Sequence, residues 1–153
     1  KMSISLKTRF ASQVLFLWVL FVFTSGIQQS IFAADRNKKM INCDIHQTAC
    51  IKRISTCTIT FDVTPKPVKA MKDLLFRVSL SGNVPVNVKA PYIDLGMPGM
   101  NMGPNRVILK LSEPGAYEGK SVIVRCPSGR RIWQATVTVP NIGQAEFIFN
   151  VIY

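Results

Sequence analysis

The stretch that decides the fold is Cys57-Thr58-Ile59-Thr60-Phe61-Asp62-Val63, in which apolar and polar side chains alternate without interruption. Successive side chains of a β-strand point to opposite faces, so this period of two places the four apolar residues together on one face. A Pro-Lys-Pro sequence follows almost at once and ends the strand. We therefore expect a half-buried strand with one face against a core.

Six further stretches have the same period of two, at 74–80, 84–95, 107–111, 117–126, 133–139 and 147–153. Glycine, proline and asparagine separate them, and no helical period of any length lies among them. Short alternating strands at close spacing are typical of an antiparallel sandwich. The sequence therefore predicts an all-β domain over residues 57–153, a seven-stranded antiparallel β-sandwich of the immunoglobulin-like type.

Residues 1–34 have the pattern of a secretory signal rather than of a folded element. Lys1, Lys7 and Arg9 form a basic start, and residues 14–23 are an unbroken apolar run. That run is short of the roughly twenty residues needed to span a bilayer. We expect an exported protein that is cleaved after Ala34 or Gly26, with an uncleaved membrane anchor as the alternative.

The rest of the chain is basic without resembling a nucleic-acid-binding protein. Of the 19 basic residues, the 16 that follow the predicted signal stand against 8 acidic residues, a net charge of +8. They are scattered, and neither a basic helix nor a set of stacking aromatic residues accompanies them. We expect a solvated basic surface, no nucleic-acid partner, and membrane contact only through an uncleaved N-terminal segment.

Residues 35–56 form a polar lead-in that contains Cys43 and Cys50. An exported protein meets an oxidising compartment, and with Cys57 and Cys126 the four cysteines allow three pairings. Cys57 opens the first predicted strand and Cys126 closes the fifth, so strand length separates them by about 26 Å. This favours a Cys43–Cys50 disulfide. If the lead-in crosses to the other end of the sandwich, either of its cysteines could instead bond Cys126.

Between the third and fourth predicted strands, three methionines fall within six residues, Met97-Pro98-Gly99-Met100-Asn101-Met102. Glycine permits positive φ and proline fixes φ, so this loop should turn sharply near the surface. Thioethers are soft ligands that suit Cu(I), whereas calcium and magnesium prefer oxygen. We expect a Cu(I) site formed by Met97, Met100 and Met102. The alternatives are methionines folded back onto the end of the core, or a partner surface.

Up-and-down strands would bring the first, third and fifth connections together at one end of the sandwich. The first carries Met71, the third carries the three methionines, and the fifth begins at Cys126. Cys126 or Met71 would then complete the Cu(I) ligand set. Each also has an ordinary explanation, because cysteine is among the most buried residue types and methionine fills gaps in cores.

The sequence has little basis for enzymatic chemistry, and we expect no enzyme. His46 is the one histidine, and its spacing from the neighbouring cysteines matches no zinc or haem pattern, so we expect a solvent-exposed loop residue. A Ser-His-Asp set could form only around His46. Asp94 could pair with Glu113 or Glu118, but no feature of the sequence makes such a pair a catalytic dyad.

From about residue 56 to residue 153, the sequence resembles the YtkA-like and FixH-like group of small exported or membrane-tethered bacterial domains. The resemblance is carried by Pro65-Lys66-Pro67, Met97-Pro98-Gly99-Met100, Pro114-Gly115-Ala116-Tyr117 and the strand at Trp133. It implies an immunoglobulin-like sandwich in the periplasm or on the extracytoplasmic side of the cell envelope. It also implies copper trafficking, copper resistance or assembly of a copper-containing oxidase, with an envelope protein that donates or accepts copper as a partner.

Only Met97, Met100 and Met102 match the group's methionine motif, so the resemblance assigns only these three as ligands. The histidines that often enrich such loops are absent here, which argues against Cu(II), and the cysteine-containing lead-in is not part of the group's pattern. Two other functions stay open. One is a metal-free interaction module that offers the methionine loop to a partner protein. The other is a thiol-redox protein that uses the lead-in cysteines.

Overall fold

The structure is a computed structural model that describes residues 40–85 and 87–153, and Met40–Tyr153 form one compact unit. The predicted signal at 1–34 lies outside the described residues, as do residues 35–39 of the predicted lead-in. Within the described ranges, no helix has the length and apolar character needed to cross a membrane.

Nine strands make up the described part of the chain. They are β1 (Cys50–Ile54), β2 (Cys57–Thr64), β3 (Asp73–Gly82), β4 (Tyr92–Gly96), β5 (Arg106–Ile108), β6 (Lys110–Glu113), β7 (Ala116–Val122), β8 (Ile132–Val139) and β9 (Gly143–Asn150). One sheet has five strands in the order β1-β2-β3-β7-β6, and the other has four in the order β5-β4-β8-β9. Every pair of neighbouring strands is antiparallel, so the predicted all-β antiparallel class is confirmed.

The strand count is nine rather than the predicted seven, for two reasons. β1 lies in the stretch predicted as lead-in and pairs with β2. Its sequence does not alternate apolar and polar residues, and its apolar residue Ile51 is exposed to solvent. The predicted strand at 107–111 is also divided, because β5 pairs with β4 in one sheet and β6 pairs with β7 in the other. The chain changes sheets at Leu109, whose side chain is buried.

A single hydrophobic core draws its side chains from both sheets, which gives the fold a sandwich-like arrangement. The apolar positions of β2 are fully buried, as their alternation predicts. Phe61 contacts aromatic rings from three other strand positions, with centroid distances of 6.4 Å to Phe76, 4.9 Å to Phe147 and 6.0 Å to Phe149. The alternating stretch that opens the domain therefore supplies the aromatic centre of its core.

The divided strand passes close to β7 at Gly119. A Cβ atom on Gly119 would lie 2.5 Å from the backbone carbonyl oxygen of Ile108 and 3.0 Å from Cδ2 of Leu109. A glycine inside a strand often marks such a close approach of another backbone segment. Gly119 therefore provides the space in which the chain moves from one sheet to the other.

Cys43 and Cys50 are joined by a disulfide, which confirms the favoured pairing. Cys57 and Cys126 are free and buried. Ile45, inside the disulfide loop, is fully buried in the core. The predicted lead-in therefore contributes both a cross-link and an apolar side chain to the compact unit.

His46 is partly buried, so the prediction of a solvent-exposed loop histidine was wrong. Its Nδ1 accepts a hydrogen bond of 3.1 Å from the backbone N–H of Val68. This contact ties the disulfide loop to the connection between β2 and β3. The spacing of His46 from its sequence neighbours carries no information about a partner 22 positions away.

The connections 65–72, 97–105 and 123–131 meet at the same end of the two sheets, as up-and-down strands predict. The backbone N–H of Met71 donates to the carbonyl oxygen of Ile123 at 2.8 Å. Arg130 donates to the carbonyl oxygen of Pro98 at 2.9 Å. Backbone and side-chain hydrogen bonds therefore link all three connections.

Candidate functional site

The methionine loop begins with a tight turn. The backbone N–H of Met100 donates to the carbonyl oxygen of Met97 at 3.1 Å, and Gly99 has φ of +69°. Proline at the second position and a positive-φ glycine at the third are the features of a type II turn. The turn places Met97 and Met100 opposite each other as an isolated antiparallel bridge.

A cavity of about 220 Å³ lies at this turn, and all three methionines of the loop contribute to its lining. The rest of the lining comes from β4 and β8 and from the loop itself, namely Asp94, Leu95, Gly96, Asn101, Gln134 and Thr136. Apart from the loop residues and Leu95, these positions are in the outward phase of their strands, with intermediate exposure. The loop therefore covers part of the outer surface of the four-stranded sheet.

The three methionines differ in their burial. Met97 continues the inward phase of β4, is 3% exposed and belongs to the hydrophobic core. Met102 is partly buried and packs against that core, whereas Met100 is 37% exposed. The loop thus runs from the core to the surface, with Met97 buried, Met102 partly buried and Met100 exposed. The alternative in which the methionines fold back onto the core describes Met97 best.

The carboxylate at the cavity, that of Asp94, is already paired. Arg106 binds both of its oxygens, with Nε 2.8 Å from Oδ1 and Nη2 3.1 Å from Oδ2, and the same guanidinium lies 4.0 Å from the centre of the Tyr92 ring. Hydrogen bonding to Asp94 raises the pKa of Arg106 further. Over residues 40–85 and 87–153, no group of three or more His, Cys, Asp or Glu side chains gathers as a metal cluster would. Among the residues that line this cavity, the methionines are those with a soft donor atom.

The three carboxylates that the sequence suggested as possible pairs bind arginine side chains. Asp94 pairs with Arg106, while Glu113 and Glu118 both bind Arg77, at 2.7 Å and 3.1 Å. Each carboxylate is therefore part of an ion pair on a sheet surface.

Cys126 lies at the same end of the molecule but does not line the methionine cavity. Its Sγ is 3.0 Å from Oγ of Ser128, and its backbone N–H donates to the hydroxyl oxygen of Tyr153 at 3.1 Å. Hydrogen bonding from Ser128 lowers the pKa of the Cys126 thiol; burial opposes this, and the backbone N–H groups of Ser128 and Arg130 and the charge of Arg130 add to it. The residue is thus held in a turn, facing Ser128.

At neutral pH, we expect Cys126 to be alkylated by iodoacetamide faster than Cys57. The pKa of Cys126 is lowered, whereas burial raises the pKa of Cys57, so a larger fraction of Cys126 is thiolate, the reactive form. Ser128→Ala removes a donor to the thiolate, so the midpoint of the alkylation profile should move to higher pH. Mass spectrometry of peptides alkylated between about pH 6 and pH 10 measures the Cys126 midpoint in the parent protein and in Ser128→Ala, and the rate of Cys57 alkylation at neutral pH. Ser112→Ala is the control, and an unchanged profile for Ser128→Ala would contradict the assignment.

Met71 also lies outside the cavity and is 63% exposed. Its backbone has φ of +58°, a left-handed conformation that residues other than glycine and asparagine rarely adopt. Holding a methionine there costs about 1 kcal/mol. The predicted sulfur donors therefore separate into three methionines at one cavity and two residues elsewhere at the same end.

Sequence reasoning missed Gln134 and Thr136 as residues of the site. Their only signal was the outward phase of the strand that contains Trp133, and outward residues are ordinarily solvated. What covers them is a loop more than thirty positions earlier in the chain.

No protein-family model matches this chain, and the comparisons with curated proteins and with solved structures also found no match.

Proposed function

We propose that this protein binds Cu(I) in the cell envelope through Met97, Met100 and Met102. The observation that supports the proposal is the lining of one 220 Å³ cavity by all three methionines of the loop. Cys126 and Met71 are left out of the proposed ligand set because neither lines that cavity.

The chemistry of the lining suits a soft, singly charged ion. Methionine thioethers are neutral, polarisable donors, which Cu(I) accepts and which hard cations avoid. The Asp94 carboxylate, the charged oxygen donor of this lining, is held by two nitrogens of the Arg106 guanidinium. Arg106 also cancels the negative charge that would otherwise attract divalent ions to this cavity.

An extracytoplasmic location is part of the proposal. The Cys43–Cys50 disulfide supports it, because disulfides persist in oxidising compartments and are rare in the cytosol. The sandwich is further proposed to be immunoglobulin-like and related to the YtkA-like and FixH-like domains. Two antiparallel sheets around one core support that relation, and copper trafficking, resistance or oxidase assembly with an envelope partner would then be the cellular role.

Titration with Cu(I) against a coloured Cu(I) chelator, under reducing conditions, tests the proposal. We expect the protein to withdraw close to one equivalent of Cu(I), and the triple variant Met97→Leu, Met100→Leu, Met102→Leu to withdraw none. Met100→Leu alone should weaken Cu(I) binding by more than about tenfold, because loss of even an outer-shell partner costs at least that much. Leucine roughly preserves side-chain volume, so thermal unfolding should change little.

Met71→Leu is the matched control, since it removes an exposed thioether outside the cavity and should leave the Cu(I) affinity unchanged. Undiminished Cu(I) binding by the triple variant would overturn the proposal. A partner protein captured equally well with and without a Cu(I) chelator would instead favour the interaction module. The exposure of Met100 is the observation that keeps this second function in consideration.

A further inference from the structure

Three apolar side chains are exposed together at the end of the molecule where the connections meet. Met71, Val124 and Ile152 are 63%, 45% and 36% exposed. Their backbones are linked: the N–H of Met71 donates to Ile123, next to Val124, and the N–H of Ala70 donates to Ile152, each at 2.8 Å. We call the surface formed by connections 65–72 and 123–131 and residues 151–153 the basic pole.

The two connections of the basic pole carry six cationic side chains and no acidic one. They are Lys66, Lys69, Lys72, Arg125, Arg130 and Arg131. The guanidinium carbons of Arg125 and Arg131 lie 5.4 Å and 5.7 Å from the centre of the Tyr153 ring. The neighbouring carboxylates are Asp62, which is paired with Lys66 at 2.9 Å, and Asp73 at the start of β3. The pole therefore has a strong positive excess around its apolar centre.

The backbone presents Met71 outward at an energetic cost. Its positive φ is a conformation that glycine would adopt without strain, yet the position carries a long apolar side chain that contacts mostly solvent. Backbone strain of this kind persists where the surrounding structure imposes it, and it clusters at functional positions. The hydrogen bond to Ile123 is the contact that holds it here.

We propose that the basic pole docks on a bilayer surface that contains anionic phospholipid. Exposed apolar side chains surrounded by lysine and arginine suit the boundary between acyl chains and headgroups, where the cations reach phosphate and the apolar groups enter the hydrocarbon. A partly exposed tyrosine also suits this boundary. Anionic phospholipid is complementary to both parts of the pole, because its phosphates match the cations and its acyl chains match the apolar centre. This inference goes beyond Cu(I) binding and does not depend on it.

Tryptophan fluorescence on vesicles tests the contact directly, using the full chain without copper. Val124→Trp places a tryptophan in the basic pole, and Leu111→Trp places one on β6, where Leu111 is 64% exposed. The parent chain gives the background from its own two tryptophans. On vesicles of phosphatidylglycerol and phosphatidylcholine with brominated acyl chains, we expect several-fold stronger quenching above that background for Val124→Trp than for Leu111→Trp. Quenching should fall on pure phosphatidylcholine or at high salt.

Two variant sets separate charge and apolar contact from folding. Lys69→Glu, Lys72→Glu, Arg125→Glu reverses charge at the pole, and Arg53→Glu, Lys89→Glu, Lys110→Glu makes the same change in net charge elsewhere. When each set is combined with Val124→Trp, we expect only the set at the basic pole to abolish the quenching. Met71→Gly removes the apolar side chain and the strain together. In the Val124→Trp protein, we expect Met71→Gly to weaken the quenching severalfold while raising the midpoint of urea unfolding. A loss of membrane binding would then not be explained by a loss of folding.

Equal quenching of the Val124→Trp and Leu111→Trp variants would overturn the proposal, as would equal effects of the two charge-reversal sets. Salt-sensitive binding to polyglutamate without any vesicle quenching would overturn it in favour of an acidic protein partner.

Discussion

Phe61→Ala is expected to lower the free energy of unfolding by about 3–5 kcal/mol. Phe61 is fully buried, and its ring packs against Phe76, Phe147 and Phe149. These partners lie on β3 and on β9, so the truncation leaves a cavity bordered by both sheets that neither can close alone. Because single domains have total stabilities of about 5–15 kcal/mol, a loss of this size leaves a substantial unfolded fraction.

Urea unfolding followed by circular dichroism measures this loss. Phe61→Leu should cost less, since leucine fills part of the space. Ile51→Ala, on the adjacent strand β1, removes a side chain that is 67% exposed and should change the free energy by less than about 0.5 kcal/mol. A cost for Phe61→Ala as small as that of Ile51→Ala would show that the two sheets do not share the core described.

Gly119→Ala is expected to lower the free energy of unfolding by about 1–3 kcal/mol. The added methyl group would lie 2.5 Å from the Ile108 carbonyl oxygen, which is backbone and cannot turn aside. Either β7 or the chain segment that changes sheets must move, and both are held by pairing to further strands. Small surface substitutions have no such effect, so this cost is specific to the close approach.

Gly103→Ala is the matched control, because a Cβ at Gly103 would have no atom within 4 Å and its backbone lies outside the left-handed region. We expect a change within about 0.5 kcal/mol for this variant. Gly119→Val should be worse than Gly119→Ala in the same urea experiment. Equal stability of Gly119→Ala and Gly103→Ala would mean that the segment at 106–113 does not cross between sheets at this point.

Much of the fold could be predicted because strand periodicity is local. The alternation around Phe61 marked which side chains are buried, and the structure buries them. The turn at Met97–Met100 followed from proline and glycine, and it forms as expected. β1 was missed because two adjacent charged residues, Lys52 and Arg53, interrupt its apolar pattern; the strand pairs with β2, and Cys50 and Ile54 pack against the core.

The candidate site was predictable only in part. Three methionines within six residues must be near one another, and they do line one cavity. That Gln134 and Thr136 share this cavity could not be inferred, because periodicity distinguishes inward from outward residues without saying what covers the outward ones. Cys126 was expected beneath the methionine loop; it lies in a turn against Ser128 and does not line the methionine cavity.

By itself the sequence determined the all-β class and the buried faces of β2, β3, β8 and β9, and it favoured the Cys43–Cys50 disulfide, because these depend on period, turn chemistry and short spacing. Only the tertiary structure decided that the chain changes sheets at Leu109, that Met97 belongs to the core while Met71 is exposed, and that scattered cations gather at one pole. These features arise from contacts between residues far apart in the chain. No local pattern encodes such contacts, because they depend on which elements pack together.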